Sequence, residues 1–458
     1  MYVIRLATFT NLYGGHRHPK IEPYEVLLAR SQLVEWKYVP PKSVVIYISH
    51  EWTSSNHCDP EGDQIYHLMN LLKRLRGGEI PSVDMDPFHI QIYNHTFSTT
   101  AEEWVEILSS QNTYIWYDGC CVPKSKREEA FRSIPAYVRR CDFTIILVPG
   151  CKHFDRVNPT TQRRINLCFR TYRRRARCVF EMMSAFLTSS TSEDERPMLQ
   201  VNSGTFYLSF DSLPTRLQLT HSRIYMSGTG TPVWVSPLEC QKLAVGTSVF
   251  ECCESNHIKI EACRRPSTAR CLKNMIDCRV GSLFSDGNIV IGRFTNVFAH
   301  WWLRGLGSKL NKNMSILDFK RQVLHWDLLE DEEYFDRSGV SVLMYSVLAD
   351  QIKVVETILH QLDQISDKSE RTRRLEKGLD KNGLLSMGFP GNATPLHAAL
   401  GLARPEIVLM LLDKGISPNA RDVIGDSPFL VACLLGRLDN LKVWFVRITS
   451  LSLSLPPI

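Results

Sequence analysis

No apolar run in these 458 residues approaches the ~20 that a membrane-spanning helix needs; the longest, residues 44–48 and 143–148, are strand-sized. The start, Met1-Tyr2-Val3-Ile4-Arg5, lacks the charged beginning and long apolar stretch of a signal peptide. Cysteine is too sparse for a disulfide scaffold: fourteen residues, about 3% of the chain. They are expected as thiols in a reducing compartment. Cys252, Cys253, Cys263, Cys271 and Cys278, with His257, include no Cys-x-x-Cys pair, so they read as scattered thiols rather than a zinc module. Neither sign of charge dominates, and a net +6 is too mild to define a nucleic-acid-binding chain. There is no Walker loop, Gly-x-Ser-x-Gly or His-Glu-x-x-His, so NTPase, serine hydrolase and zincin chemistry have no support. What remains is a soluble chain expected in the cytoplasm, off the membrane, and too long for one core.

What is present is ordinary globular composition, 44% hydrophobic and 22% charged, which excludes wholesale disorder. From residue 43 to about 188, short β-rich runs alternate with helical periodicity. Val44-Val45-Ile46-Tyr47-Ile48 reads as a strand running into the polar turn Ser49-His50-Glu51-Trp52. Ile65, Leu68, Met69, Leu72 and Leu75 share one face of a helix over 63–75. Tyr114-Ile115-Trp116-Tyr117 is a second strand, ended by Asp118-Gly119, and a helix over 128–140 carries Pro135, where a kink is expected. The run 143–148 is apolar on both faces, as in strands covered by helices on both sides of a parallel sheet. Another helix is expected over 177–187, an extra one over 99–109, and a short one near 24–34. The fold class is therefore α/β plus α, opening with a doubly wound parallel sheet.

Beyond this the chain divides further. Residues 1–42 read as an extension, and 43–210 as the α/β domain. Within that domain lie a polar linker, 189–195, and two strand-like pieces, 198–201 and 205–210. Residues 211–335 are a connecting region without assigned fold, with helices near its end. An internal repeat fills 336–447, and 448–458 is a tail.

The repeat is carried by Thr394-Pro395-Leu396-His397-Ala398-Ala399, which returns as Ser427-Pro428-Phe429-Leu430-Val431-Ala432, with 33 residues from Pro395 to Pro428. An earlier copy begins at Ser341, 53 residues before Thr394, which is one period plus an insertion of 20. Each copy precedes a second apolar helix: 352–359, 406–412 and 438–445. A period of 33 with this hexapeptide is similar to the ankyrin repeat, about three copies of it. Thr394 suits an N-cap, Pro395 the first helical position, and Gly415 a left-handed stop. Asn419 and Asp422 fall in the exposed turn before the next copy. The resemblance implies a helical solenoid binding a protein partner on its concave face.

A second resemblance lies upstream. Ser49-His50-Glu51-Trp52 after a first strand, Trp116-Tyr117-Asp118-Gly119-Cys120-Cys121-Val122 after another, and Cys178-Val179-Phe180-Glu181 opening a later helix resemble, in type and order, the motifs of the heterokaryon-incompatibility and TIR-like superfamily. Arg177 stands where that family commonly has a tryptophan. The resemblance implies a flavodoxin-like, TIR-like domain that self-associates in signalling or assembly. It also implies a possible NAD-hydrolysing activity with Glu181 as catalytic carboxylate, beside the ribosyl cation as it develops. Ser49, His50, Trp52 and Asp118 would then line an NAD crevice beyond the strand ends, with no resident cofactor or metal. The bland alternatives stay open: Glu181 complementing a helix dipole, Trp52 and His50 as core, and Asp118 as a turn former. Seven arginines between 163 and 177 read as a solvated basic loop, with the acidic run 330–333 as a conceivable partner. The resulting expectation is an adaptor that binds partners through its repeats, with NAD hydrolysis as the alternative.

Overall fold

The computed structural model of the protein describes residues 1–15, 17–84, 98–187, 223–227, 233–234, 244–250, 253, 263–306, 314–326, 334–336, 339–380 and 390–453. The linker 189–195, the strand-like pieces 198–201 and 205–210, the acidic run 330–333, Cys252, His257 and the last five residues of the tail lie outside them. The chain separates into two compact units, Met1–Met275 and Ile276–Ile458.

In the first unit the elements run β1 (Tyr2–Arg5), α1 (Leu6–Tyr13), α2 (Tyr24–Ala29), β2 (Leu33–Glu35), β3 (Val44–His50), α3 (Asp63–Arg76), β4 (Ser82–Asp84), β5 (Ser98–Thr100), α4 (Ala101–Ser109) and β6 (Thr113–Trp116). After these come α5 (Asp118–Cys121), α6 (Arg127–Arg132), α7 (Ile134–Arg139), β7 (Phe143–Leu147), β8 (Lys152–Val157), β9 (Arg164–Asn166), α8 (Phe169–Tyr172), α9 (Ala176–Leu187), β10 (Arg223–Ser227) and β11 (Val233–Trp234). Helix α10 (Arg265–Ser285) carries the division between the units.

Among the described residues one sheet has seven strands, ordered β11-β10-β7-β3-β6-β1-β2. Its middle is parallel: β3 pairs with β6 (Ile46 opposite Ile115) and with β7 (Ile46 opposite Phe143), and β7 pairs with β10. All seven residues of β3 are buried. Since successive side chains point to opposite faces, that continuous burial means both faces are covered there. The sheet is not wholly parallel, as expected from the apolar runs, but mixed. Strands β1, β2 and β11 run antiparallel to their neighbours. Two of them come from residues 1–42, and β10 and β11 from the region without assigned fold. These four are short outer strands, β2 and β11 at the two edges and β1 and β10 next to them, and they carry no long apolar run to announce them.

Local signals account for the elements around the core. Thr100 and Glu103 form a reciprocal capping box that starts α4. Pro135 splits the expected helix over 128–140 at Ser133 into α6 and α7. Gly62 precedes α3 at φ +73°, where a Cβ would lie 2.4 Å from the Pro19 carbonyl oxygen, so only glycine fits.

The second unit is helical in its described residues: α11 (Ile289–Trp302), α12 (Ile316–Asp318), α13 (Val342–Leu348), α14 (Ile352–Asp363), α15 (Lys368–Glu376), α16 (Pro395–Leu402), α17 (Pro405–Asp413), α18 (Pro428–Leu434) and α19 (Leu438–Leu453). Consecutive helices pack in pairs, α13 with α14, α16 with α17 and α18 with α19. First helices stack in the order α13, α16, α18 and second helices in the order α14, α17, α19. Helix α15, nine residues capped by Asp367, lies in the stretch where the 20-residue insertion was expected.

Candidate functional site

The carboxyl ends of β3 and β6 bring the sequence-predicted residues together. Ser49 and His50 finish β3, Asp118 opens α5 just after β6, and Glu181 sits one turn and a half into α9. All four are buried. Ser49 Oγ donates to Glu181 Oε2 at 2.5 Å and lies 2.5 Å from the Tyr172 hydroxyl. Trp52, half-buried, donates its indole N–H to Asp118 Oδ2 at 2.7 Å. Glu181 is therefore bonded across to a strand end, which a helix-dipole role alone does not require.

Arg177 joins the two carboxylates. Its Nε donates to Glu181 Oε1 at 3.0 Å, four residues on along α9, and its Nη2 donates to Asp118 Oδ2 at 2.5 Å. It keeps 24% of its side chain exposed, against 5% for Asp118 and 3% for Glu181, so it is the member that reaches solvent. Arg177 and Arg127 both place their guanidinium groups against the Trp52 ring, at 5.5 and 4.6 Å from its centroid.

The protonation of His50 follows from its partners. Gln64 commits its amide N–H to the Glu51 carbonyl at 2.8 Å, which leaves Gln64 Oε1 facing His50 Nδ1 at 2.6 Å. On the other side Nε2 faces Asp118 Oδ1 at 2.9 Å. Both ring nitrogens meet acceptors, so both donate and the ring is an imidazolium. Burial opposes that charge, but Asp118 and Gln64 outweigh it and raise the His50 pKa. Burial likewise opposes ionisation of Asp118, and Arg177 and His50 overcome it, holding the carboxyl well below the usual range. For Glu181 burial prevails over Arg177 and Ser49 and pushes the carboxyl up. The chain His50–Asp118–Arg177–Glu181 alternates in sign and sums to zero when ionised, the condition under which buried charges are tolerated.

Sequence inspection missed Gln64, Tyr172, Glu51 and Arg175 as members of this neighbourhood. Arg175 and Glu51 form a second buried pair at 2.9 Å. The arginine-rich stretch is accordingly not a solvated loop throughout. Arg164 pairs with Glu61, Arg173 lies over Phe169, and Arg175 and Arg177 turn inward. An arginine-rich run leading into an apolar helix with a single acidic residue, Glu181, was the available signal.

In the second unit the repeat hexapeptide works through its backbone. Thr394 N–H donates to His397 Nδ1 at 3.1 Å, and Thr394 Oγ1 lies 2.9 Å from the same nitrogen. His397 Nε2 donates to the Asp426 carbonyl at 3.1 Å, tying one helix pair to the turn before the next. His397 is thus neutral, and burial lowers its pKa. Pro395 opens α16 and Leu396 is fully buried. Gly415 follows α17 at φ +81°, with Ile416 N–H returning to the Leu411 carbonyl. Asn419 is exposed as expected, but Asp422 is buried. Its carboxylate accepts the N–H groups of Ile424 and Asp426, shaping a turn whose tip exposes Val423 and Ile424.

That geometry agrees with the comparison to known families: the ankyrin repeat model matches residues 391–423, which contain α16, α17 and the following turn. The C-terminal region is thus an ankyrin-repeat region, a class of repeat that serves protein–protein interaction. No curated protein matches the chain.

Proposed function

We propose that this chain is an adaptor that binds another polypeptide through its repeat stack, while the sheet unit is a TIR-like module for signalling or assembly. The observation that carries the binding role is the turn before α18. Asp422 is turned inward to hold the backbone, and Asn419, Val423 and Ile424 are left outward, the two aliphatic side chains 50% and 45% exposed. A rigid turn presenting apolar side chains to water is a contact surface rather than a fold requirement. Affinity capture with the full chain, compared with a Val423→Asp/Ile424→Asp variant, tests it. Partners retained by the parent and lost by the variant are expected; an unchanged set contradicts the role of this turn.

For the sheet unit, the support is strand order. Numbered along the chain, the parallel strands β3, β6, β7 and β10 lie side by side as 2-1-3-4, the order of flavodoxin-like doubly wound sheets. A second reading has its own observation: Ser49, Trp52, Asp118 and Glu181 converge at the strand ends next to the β3/β7 switch, where such sheets hold ligands. There Glu181 would be the carboxylate of an NAD hydrolase, with Arg177 displaced from it as substrate enters. Nicotinamide release by the full chain, with Glu181→Ala as comparison, separates the two. Turnover unaffected by the substitution removes Glu181 from the chemistry, and no turnover in the parent favours the assembly module.

A further inference from the structure

The buried chain His50–Asp118–Arg177–Glu181 balances its own charge, but the rim outside it does not. After α5, Pro123 leads into a short 3-10 turn, Lys124–Lys126, and Arg127 opens α6 directly behind it. Lys124 is exposed and Arg127 half-buried. Among the described residues neither side chain has an acidic partner, whereas Arg175 and Arg177 are both paired. The acids around them are already used. Asp118 is bonded to His50, Trp52 and Arg177, and Glu128 is held by Arg264. Glu129 stands two residues beyond Arg127, a spacing that puts it on the other side of α6.

His57 adds a neutral donor beside these cations. Its Nδ1 accepts the Asp59 N–H at 3.0 Å, so the proton of the ring sits on Nε2. That N–H meets no acceptor among the described residues. Burial, and then the nearby Lys124 and Arg127, lower the His57 pKa and keep the ring uncharged. Arg127 is held in place by the Trp52 ring, 4.6 Å from its centroid, and the half-exposed edge of Arg177 lies against the same ring. A guanidinium resting on an aromatic ring keeps its in-plane N–H groups available to an anion.

We propose that His57, Lys124 and Arg127 form an anion subsite at the rim of the strand-end crevice, and that it takes the phosphate group of a small ligand, a nucleotide or another phosphate ester. Two cations and one neutral N–H offer separate donors to the several oxygens of a phosphate, more than a carboxylate can use. A phosphate dianion there neutralises Lys124 and Arg127 and leaves the inner balance of charges intact. Arg164, Arg175 and Arg177 are spent on internal pairs, so among the described residues they do not extend this rim into the basic stripe that tracks a nucleic-acid backbone. The subsite shares its crevice with the NAD reading but does not rest on that chemistry, since it requires binding and no bond cleavage.

Isothermal titration calorimetry of the full chain with inorganic pyrophosphate, AMP and a short single-stranded DNA tests the proposal, at about 50 mM salt where exposed charges are weakly screened. Pyrophosphate and AMP are expected to bind with dissociation constants below about 1 mM. Lys124→Gln and Arg127→Gln each raise those constants about tenfold, the loss of one charge-assisted hydrogen bond. Lys124 is exposed, so its variant reads binding rather than folding. Lys442→Gln, an exposed cation of the second unit, leaves the constants unchanged. No binding of either ligand in that range, or binding that the Lys124→Gln/Arg127→Gln double variant leaves intact, overturns the subsite. DNA that binds more tightly than pyrophosphate and is lost in the same variants overturns the assignment to a small ligand. Pyrophosphate binding by a chain that releases no nicotinamide removes the NAD reading and leaves the subsite standing.

Discussion

His50 and His397 are both buried and both bonded through both ring nitrogens, yet their pKa values are shifted in opposite directions, His50 up and His397 down. His50 faces two acceptors, an amide oxygen and a carboxylate, and is held charged. His397 accepts at Nδ1 from the Thr394 N–H and is held neutral. The difference marks two ways of building a site. At the strand ends of the sheet, side-chain charges are gathered and balanced against one another, a high-stakes arrangement in which each member depends on the rest. In the repeat, polar side chains serve the backbone, and the outward surface is left free to make contacts.

The largest effect that sharpens this contrast is removal of a charge from the sheet cluster. Asp118→Asn strands the His50 imidazolium and the Arg177 guanidinium and is expected to cost about 3–5 kcal/mol in urea denaturation. The equivalent neutralisation in the repeat, Asp422→Asn, keeps a side-chain acceptor for Ile424 and Asp426 N–H and is expected to cost about 1 kcal/mol. Equal losses at the two sites would erase the distinction between them.

Next comes pH, where the signs must differ. The folded pKa of His50 is raised, so its contribution is complete below the unfolded value of about 6.5 and disappears as pH climbs through the folded value. The folded pKa of His397 is lowered, so its contribution is present above about 6.5 and disappears as pH falls through the folded value. Stability measured from pH 5 to 9 should therefore flatten on its alkaline side in His50→Gln and on its acid side in His397→Gln. The smallest effect belongs to the cap: Thr394→Ala is expected to lower stability by about 1 kcal/mol.

Legibility in sequence followed the same division. The repeat was readable because a 33-residue spacing and a Thr-Pro pair encode local geometry: an N-cap, a first-turn proline, a glycine stop. Where a side chain turns over its own backbone, as Asp422 does, spacing gives the turn but not the direction. The strand core was readable from continuous apolar runs, whereas β1, β2, β10 and β11 are short outer strands whose pairing is long-range. Ser49, His50, Trp52, Asp118 and Glu181 were picked out by motif order, and the structure unites them. Arg177 stood out in sequence as a departure from the family pattern. Its role came into view once Asp118, 59 residues away along the chain, lay within 2.5 Å of it.

Both readings of the sheet site depend on its charge balance, and nitrogen-15 NMR of the histidine rings at pH 6.5 measures it directly, with His50→Gln and His397→Gln supplying the assignments. The expected spectrum has His50 protonated on both nitrogens and His397 neutral with its proton on Nε2. A neutral His50, or two rings in the same state, would contradict the account.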